Sequence, residues 1–346
     1  MKTIDCIDLF CGIGGLSYGL KEAGVNVVAG VDIDKSCKFA YEENCRSHFI
    51  EADISNLKSN EIKEFFAKDH ISAIVGCAPC QPFSKYSQRY RKEGHTNEKW
   101  KLLYSFARIV SDVQPDIISM ENVPELQSEN VFIDFIHTLE TLKYNIWHSV
   151  VNCPEYGVPQ SRRRLVLLAS KVGEIRLLPP EFDVTSYKTV RDTIANLVKI
   201  EDGESDKADP LHCASKLSEK NKIRITSSQQ GGTWLDWDLD LRLPCHSKET
   251  GRTYSSVYGR MSWDMPAPTI TTQFFGYGNG RFGHPEQNRG LSIREGAMLQ
   301  SFPVDYIFLP KEEVKVNKTR LGIQIGNAVP PKLGEVIGRS IIASLQ

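Results

Sequence analysis

Over its first 180 residues the chain alternates short apolar runs with amphipathic stretches, and this rhythm restricts the fold more than any other feature. Segments 4–10, 25–31, 71–76, 116–120, 145–151 and 165–169 are short, apolar and rich in Ile, Val and Leu, as buried strands are. Before the fourth of them, Leu102, Leu103, Phe106, Ile109, Val110 and Val113 recur at the three-to-four spacing of one helix face. Such β-α-β alternation predicts an α/β fold with a mostly parallel sheet covered by helices, because parallel neighbours need crossovers long enough to hold a helix.

Beyond Pro179 the rhythm stops. Pro179-Pro180 and an acidic stretch at 201–209 lead into sequence rich in Trp, Gly, Thr and Tyr, with no helical period until Ile293. That composition predicts irregular β and loop structure. After Gly326-Asn327-Ala328-Val329-Pro330-Pro331, the residues Leu333, Val336, Ile337, Ile341 and Ile342 are spaced as a helix that packs back on the first region. At about 150 residues per domain, a chain of 346 residues is expected to form two. The first would be 1–184, completed by 320–346, and the second 185–319.

Lys and Arg number 42 against 43 Asp and Glu, a net charge of −1. This removes the simplest argument for a nucleic-acid partner, a strongly basic domain, so a nucleic-acid surface would be a local patch balanced by acid elsewhere. Nine scattered cysteines, no leader-like opening and no apolar stretch near the roughly 20 residues that span a bilayer predict a cytoplasmic, non-membrane protein without a disulfide framework.

The first strand runs into Cys11-Gly12-Ile13-Gly14-Gly15-Leu16-Ser17-Tyr18-Gly19. Glycines allow a sharp turn and close backbone approach, and the helix that follows offers free N–H groups. A dinucleotide fingerprint would carry a third glycine where Ser17 stands, so the pattern favours a nucleotide-like cofactor without a pyrophosphate. Asp32, 20 residues after Gly12, is placed to accept hydrogen bonds from two ribose hydroxyls, and Asp53 ends a third strand. The alternative is a structural glycine turn with solvent-facing acids; the spacing of Asp32 weighs against it.

Gly76-Cys77-Ala78-Pro79-Cys80-Gln81-Pro82-Phe83-Ser84 follows the strand at 71–76 directly. A cysteine where a parallel strand gives way to its loop lies where doubly wound folds bind ligands, and a thiolate is a strong nucleophile at neutral pH. A redox pair, half a zinc site and an inert thiol compete with that reading. Zinc needs a second pair, and His212-Cys213 and Cys45-Arg46-Ser47-His48 have the wrong spacing, so no metal is expected. Between 85 and 101, Lys85, Arg89, Arg91, Lys92, Lys99 and Lys101 outnumber Glu93 and Glu98. This reads either as a mobile basic loop over the cysteine, suited to phosphates, or as a solvated linker.

Pro79-Cys80-Gln81, Glu121-Asn122-Val123 after a strand, Gln160-Ser161-Arg162-Arg163-Arg164 before another, the opening Asp8-Leu9-Phe10-Cys11-Gly12-Ile13-Gly14-Gly15 and the closing Gly326-Asn327-Ala328-Val329 stand in one order across nearly the whole chain. Together they resemble the cytosine-5 DNA methyltransferase family. The resemblance implies the Rossmann-like fold of S-adenosylmethionine-dependent methyltransferases plus a smaller target-recognition domain. It implies that Cys80 adds to cytosine C6, that Glu121 holds N3 and the exocyclic amine, and that Arg164 binds O2 with Arg162 in support. The enamine at C5 then takes the methyl group, and S-adenosylhomocysteine is the product. Arg163 reads as a surface residue.

By the same resemblance Phe10, Gly12, Gly14, Gly15, Leu16, Asp32, Ile33, Asp53, Ile54 and Pro79 surround the cofactor, with Asn327 and Val329 closing its methionine end. Asp32 stands where many members have glutamate, and either carboxylate can hold a ribose diol. A base inside a duplex cannot reach Cys80, so flipping between the two domains is implied. Gln81, Ser84, Lys85, Arg89 and Arg91 are the expected DNA contacts on the catalytic side. Gln229, Gln230, Arg242, Arg260, Thr271 and Arg281 are expected from the recognition region, whose Gly-rich loops carry side chains suited to base edges. Trp234, Trp237 and Trp263 fit its core better than a stacking platform. The expected function is modification of a short double-stranded DNA sequence by a monomer, with a restriction endonuclease as a possible genetic partner. A tRNA methyltransferase of the same family is the alternative, but its Cys-Phe-Thr signature is absent; a catalytically silent relative is opposed by intact Cys80, Glu121 and Arg164.

Overall fold

In the computed structural model, which describes residues 2–79, 101–248, 255–313 and 315–346, the elements follow the expected alternation. They are β1 (Ile4–Leu9), α1 (Gly15–Glu22), β2 (Asn26–Asp32), α2 (Lys38–Cys45), β3 (His48–Glu51), α3 (Ser59–Lys63), β4 (Ile71–Gly76), α4 (Lys101–Val113), β5 (Ile117–Asn122), α5 (Asn130–Thr141), β6 (Asn145–Asn152), β7 (Gln160–Ser161) and β8 (Arg163–Ser170). Then come α6 (Val190–Ile194), α7 (Glu219–Thr226), β9 (Ala267–Pro268), α8 (Ile293–Leu299), α9 (Lys318–Asn327) and α10 (Pro331–Ala343).

Seven strands form one sheet in the order β3-β2-β1-β4-β5-β8-β6. The pairs from β3 through β5 are parallel, and β8 runs antiparallel to both neighbours. Every residue of β1 and of β5 is buried, as a sheet covered on both faces requires. Leu103, Phe106, Ile109 and Val110 form the buried stripe of α4, as their spacing predicts. Helix α10 lies backbone to backbone on α1: a Cβ on Gly19 would come within 2.1 Å of Pro331 O, so only glycine admits the contact.

The chain divides into two compact units: Met1–Tyr156 with Arg163–Pro180 and Ala328–Gln346, and Gly157–Arg162 with Glu181–Asn327. Three details differ from the expected bounds, the first being that the second unit resumes at Glu181 and not at 185. Residues 157–162 belong with the second unit, because β7 pairs with β9, and the chain rejoins the first unit at Ala328, after α9, instead of at 320. Strand content in the second unit is slight among the described residues, being β9 with β7 and a few isolated bridges. Its core is aromatic, with Trp234, Trp237 and Tyr277 buried together, and Trp263 is buried as well.

A buried ion pair ties this unit together. Arg289 donates to both carboxylate oxygens of Glu295 at 2.8 and 2.7 Å, with both side chains essentially inaccessible. Glu295 Oε2 also accepts from Ser292 N–H at 2.7 Å, completing the capping box of α8. These partners outweigh burial and hold the Glu295 carboxyl down at about 2. Beside it, burial pushes His284 down to about 4, and its Nδ1 accepts backbone N–H groups from Glu286 and Gln287 at 3.1 and 2.9 Å.

The signs of both shifts agree. An unfolded histidine takes a proton below about 6.5, whereas folded His284 refuses it until about 4, so stability falls as pH drops through that window. The Glu295 contribution is complete above about 4.3 and is lost as pH falls toward 2. Urea unfolding followed by tryptophan fluorescence should therefore show a lower midpoint at pH 4.5 than at pH 7, with a flatter dependence in His284→Gln. Glu295→Gln should cost about 3–5 kcal/mol at pH 7, because it leaves the Arg289 charge buried without its partner.

Candidate active site

The parallel strands of the first unit all end on one edge of the sheet, and the chain turns there differently after each. After β1 the backbone enters left-handed conformations at Phe10 (φ 68°), Gly12 (φ 50°) and Gly14 (φ 91°) before α1 begins. Gly12 N–H donates to Asp32 Oδ2 at 2.8 Å across the ends of β1 and β2, and Asp34 N–H donates to Oδ1 at 2.9 Å. Burial nevertheless raises the Asp32 carboxyl above its usual range, these two bonds opposing it. A Cβ on Gly12 would meet nothing within 4 Å, so the turn borders open space. Ile33 beside it is 68% exposed. Asp53 follows β3 and accepts Ser55 N–H at 2.8 Å, and with the Ser55 hydroxyl that bond lowers its carboxyl. Ile54 and Leu16 are buried, Gly14 and Gly15 likewise, and Pro79 is exposed after β4.

Beneath the glycine turn lies a group that sequence reasoning passed over. Asp8 is 1% exposed; its Oδ2 accepts from Ser17 Oγ at 2.7 Å, and its Oδ1 has no hydrogen-bond partner among the described residues. Burial, with the Asp32 charge nearby, pushes its carboxyl up to about 7. The signal was present as an acid inside an apolar strand, where unpaired acids rarely stand.

Glu121 and Asn122 end β5. Glu121 is 2% exposed, with Arg164 Nε 2.8 Å from Oε1 and the Cys77 thiol donating to Oε2 at 2.8 Å. Asn122 Nδ2 donates to Ala78 O at 3.1 Å, and its Oδ1 accepts Val123 N–H at 2.8 Å. The Asn122 side chain thereby pins the β4 loop two residues before Cys80. Cys80 itself lies outside the described residues, as do Gln81, Ser84, Lys85, Arg89 and Arg91. Arg162 is buried and donates to Ile270 O at 3.1 Å within the second unit, while Arg163 is exposed. Exposed Asn327 ends α9 in the second unit, and buried Val329 belongs to the first.

The expected recognition residues separate into two kinds. Gln229, Gln230 and Thr271 are exposed and Arg281 is half-buried, with Gln230 Oε1 accepting Trp263 N–H at 2.8 Å. Arg260 is 4% exposed, and its guanidinium makes five hydrogen bonds, to Ser228 O, His284 O, Gln287 O, Ile225 O and Asn288 Oδ1. Five is the full donor capacity of arginine, so Arg260 has nothing left for a base edge, contrary to the expectation from sequence. Arg242 is half-buried and uses two donors on Trp237 O and Leu235 O, at 3.1 and 2.7 Å, over the Trp234 ring. A sequence shows an arginine among glycines but not which carbonyls close around it.

Comparison with known proteins gives a consistent picture. The chain is 52% identical over 338 residues to the Type II methylase M.HgiDII of Herpetosiphon aurantiacus, covering 97% of this chain and 94% of that protein. It is 31% identical to the Type II methyltransferase M1.HphI of Haemophilus parahaemolyticus, over 98% of this chain and 87% of the other. Among solved structures, a prophage-encoded E. coli protein assigned as a DNA modification methyltransferase superposes with a TM-score of 0.72 at 25% identity, over 99% of both chains. Spodoptera frugiperda DNMT2 superposes with a TM-score of 0.66 at 17% identity, also over 99% of both, which is a likeness of fold. The profile of the C-5 cytosine-specific DNA methylases matches residues 4–343, and the chain belongs to that family of methyltransferases.

Proposed function

We propose that the protein transfers a methyl group from S-adenosylmethionine to C5 of a cytosine flipped out of a short, specific duplex DNA sequence, through a covalent adduct between Cys80 and C6. The observation that carries this reading is the buried Glu121 carboxylate paired with Arg164, one strand away from the loop that leads to Cys80. Cytosine C5 is a poor nucleophile until the 5,6 double bond is broken. Addition of the Cys80 thiolate to C6 does this; Glu121 passes to N3 the proton it carries into the step as charge builds in the ring, and as the resulting carboxylate it accepts from N3–H and the exocyclic amine. Arg164 orients O2. Loss of the C5 proton and elimination of Cys80 then restore the aromatic ring.

The glycine turn fits the cofactor chemically. Asp32 would hold the ribose hydroxyls, Ile33, Asp53 and Ile54 would lie around the cofactor, and Asn327 and Val329 would close its methionine end. When bound, S-adenosylmethionine supplies an electrophilic methyl group on a sulfonium. The neighbouring Asp8 is a buried acid with one uncommitted oxygen, consistent with a polar ligand above it. The Type II names of the two relatives support a modification enzyme; that it acts as a monomer, with a restriction endonuclease as genetic partner, is part of the same proposal. Gln229, Gln230, Thr271 and Arg281 are the groups proposed to read the sequence, while Lys85, Arg89 and Arg91 hold phosphates and Gln81 and Ser84 touch the target nucleotide. Arg242 remains a candidate reader beside them, and Arg260 shapes the loops instead.

Three outcomes are expected. Cys80→Ala should abolish methyl transfer while DNA and cofactor binding persist, and a duplex carrying 5-fluorocytosine should trap the wild-type protein covalently, since fluorine cannot leave as a proton; no stable adduct on a denaturing gel would sink the C6 addition. Asp32→Ala should weaken S-adenosylmethionine binding by about 1.5–3 kcal/mol in calorimetry, and unchanged affinity would remove Asp32 from the site. Substituting Gln230, Thr271 or Arg281 should alter which sites bisulfite sequencing finds methylated. Substituting Lys85, Arg89 or Arg91 should instead weaken binding to all sequences and flatten its salt dependence.

A further inference from the structure

Strand β5 lies between β4 and β8, and its Glu121 is held from both sides. Arg164, near the start of β8, brings Nε to 2.8 Å from Oε1. On the other side the parallel register sets Gly76 beside Met120, which puts Cys77 beside Glu121, and the Cys77 sulfur lies 2.8 Å from Oε2. Each carboxylate oxygen thus has its own partner, one from either neighbouring strand.

The terminal torsion of a glutamate is broad, so burial alone does not fix the plane of the carboxylate. An ionised carboxylate offers about four lone-pair directions. A donor on Oε2 and a guanidinium charge beside Oε1, which itself accepts no hydrogen bond among the described residues, restrict the plane and leave lone-pair directions on both oxygens open to meet a ring N–H and an exocyclic amine together. We propose that Cys77 is a positioning residue for Glu121, its thiol donating the hydrogen bond on Oε2 while the Arg164 charge lies beside Oε1, so that the carboxylate is held in the plane that meets the pyrimidine edge. This rests on the reading of Glu121 as the group that holds the target base. Cys77 acts through Glu121; it neither attacks the base nor exchanges electrons.

The test compares three variants of the full chain in steady-state methylation of unmethylated duplex DNA, with thermal unfolding as a check that each folds. Cys77→Val keeps the bulk and loses the donor, Cys77→Ala loses both, and Cys77→Ser keeps the donor and loses bulk. A thiol is a weak donor, so Val and Ala should lower kcat by about three- to tenfold, leave the KM for S-adenosylmethionine unchanged, and be exceeded by Ser, which recovers most of the rate. Alanine and valine variants as fast as wild type, or a serine variant as slow as valine, would overturn the proposal. Should valine not fold, alanine against serine decides the same question. Glu121→Gln separates this failure from that of the underlying reading: full activity there would reject Glu121 as the base-holding group, whatever the Cys77 variants do.

Discussion

Parallel strands end on the same side of a sheet, and the arrangement of this protein's chemistry descends from that constraint. β1, β2, β3, β4 and β5 run in one direction, so the glycine turn, Asp32, Asp53, Cys77 and Glu121 all come to one edge although they span more than a hundred residues of sequence. The strand order reverses between β1 and β4, where doubly wound folds open a crevice for ligands. Gly12 N–H donating to Asp32 across two strand ends, and Asn122 donating to Ala78 across two others, lock the turns of that edge together. Each lock joins side chain to backbone, so the loops are positioned by the sheet itself.

Buried charge is handled in two ways, and the difference separates framework from site. Arg289 and Glu295 satisfy one another bidentately with a capping N–H added, and the result is a closed, fixed pair. Arg260 is equally closed, all of its donors spent on the turns around it. At the sheet edge the accounting stays open. Asp8 keeps one oxygen uncommitted, Asp32 is raised by burial against two backbone donors, and Glu121 is held at each oxygen from a different strand. Groups left with spare hydrogen-bonding capacity inside a protein are costly, and such cost is tolerated where a ligand completes the set.

Much of the first unit was legible in sequence, since strands of four to eight apolar residues and a helix stripe at 103, 106, 109 and 110 are local patterns. The second unit was not. Its residues make turns whose partners lie far along the chain, as when Arg294 pairs with Asp209 or Arg260 reaches Asn288, and no local period records such pairings. The same reason explains the misreading of Arg260: exposure belongs to the folded loop, and Arg260 shares a composition with residues that do face outward.

What the sequence by itself determined is the set of chemical groups and their order: a glycine turn, an acid 20 residues on, a cysteine after one strand, a glutamate after the next and arginines before a later one. That order establishes the family and the α/β class, because strand propensity and motif spacing act over short stretches. Tertiary structure alone decided which of these groups touch. It set Cys77 rather than another donor beside Glu121, left an oxygen of Asp8 open beneath the turn, and closed Arg260 into the core. Those outcomes depend on register between strands distant in sequence and on the geometry of hydrogen bonds, which a linear pattern does not contain.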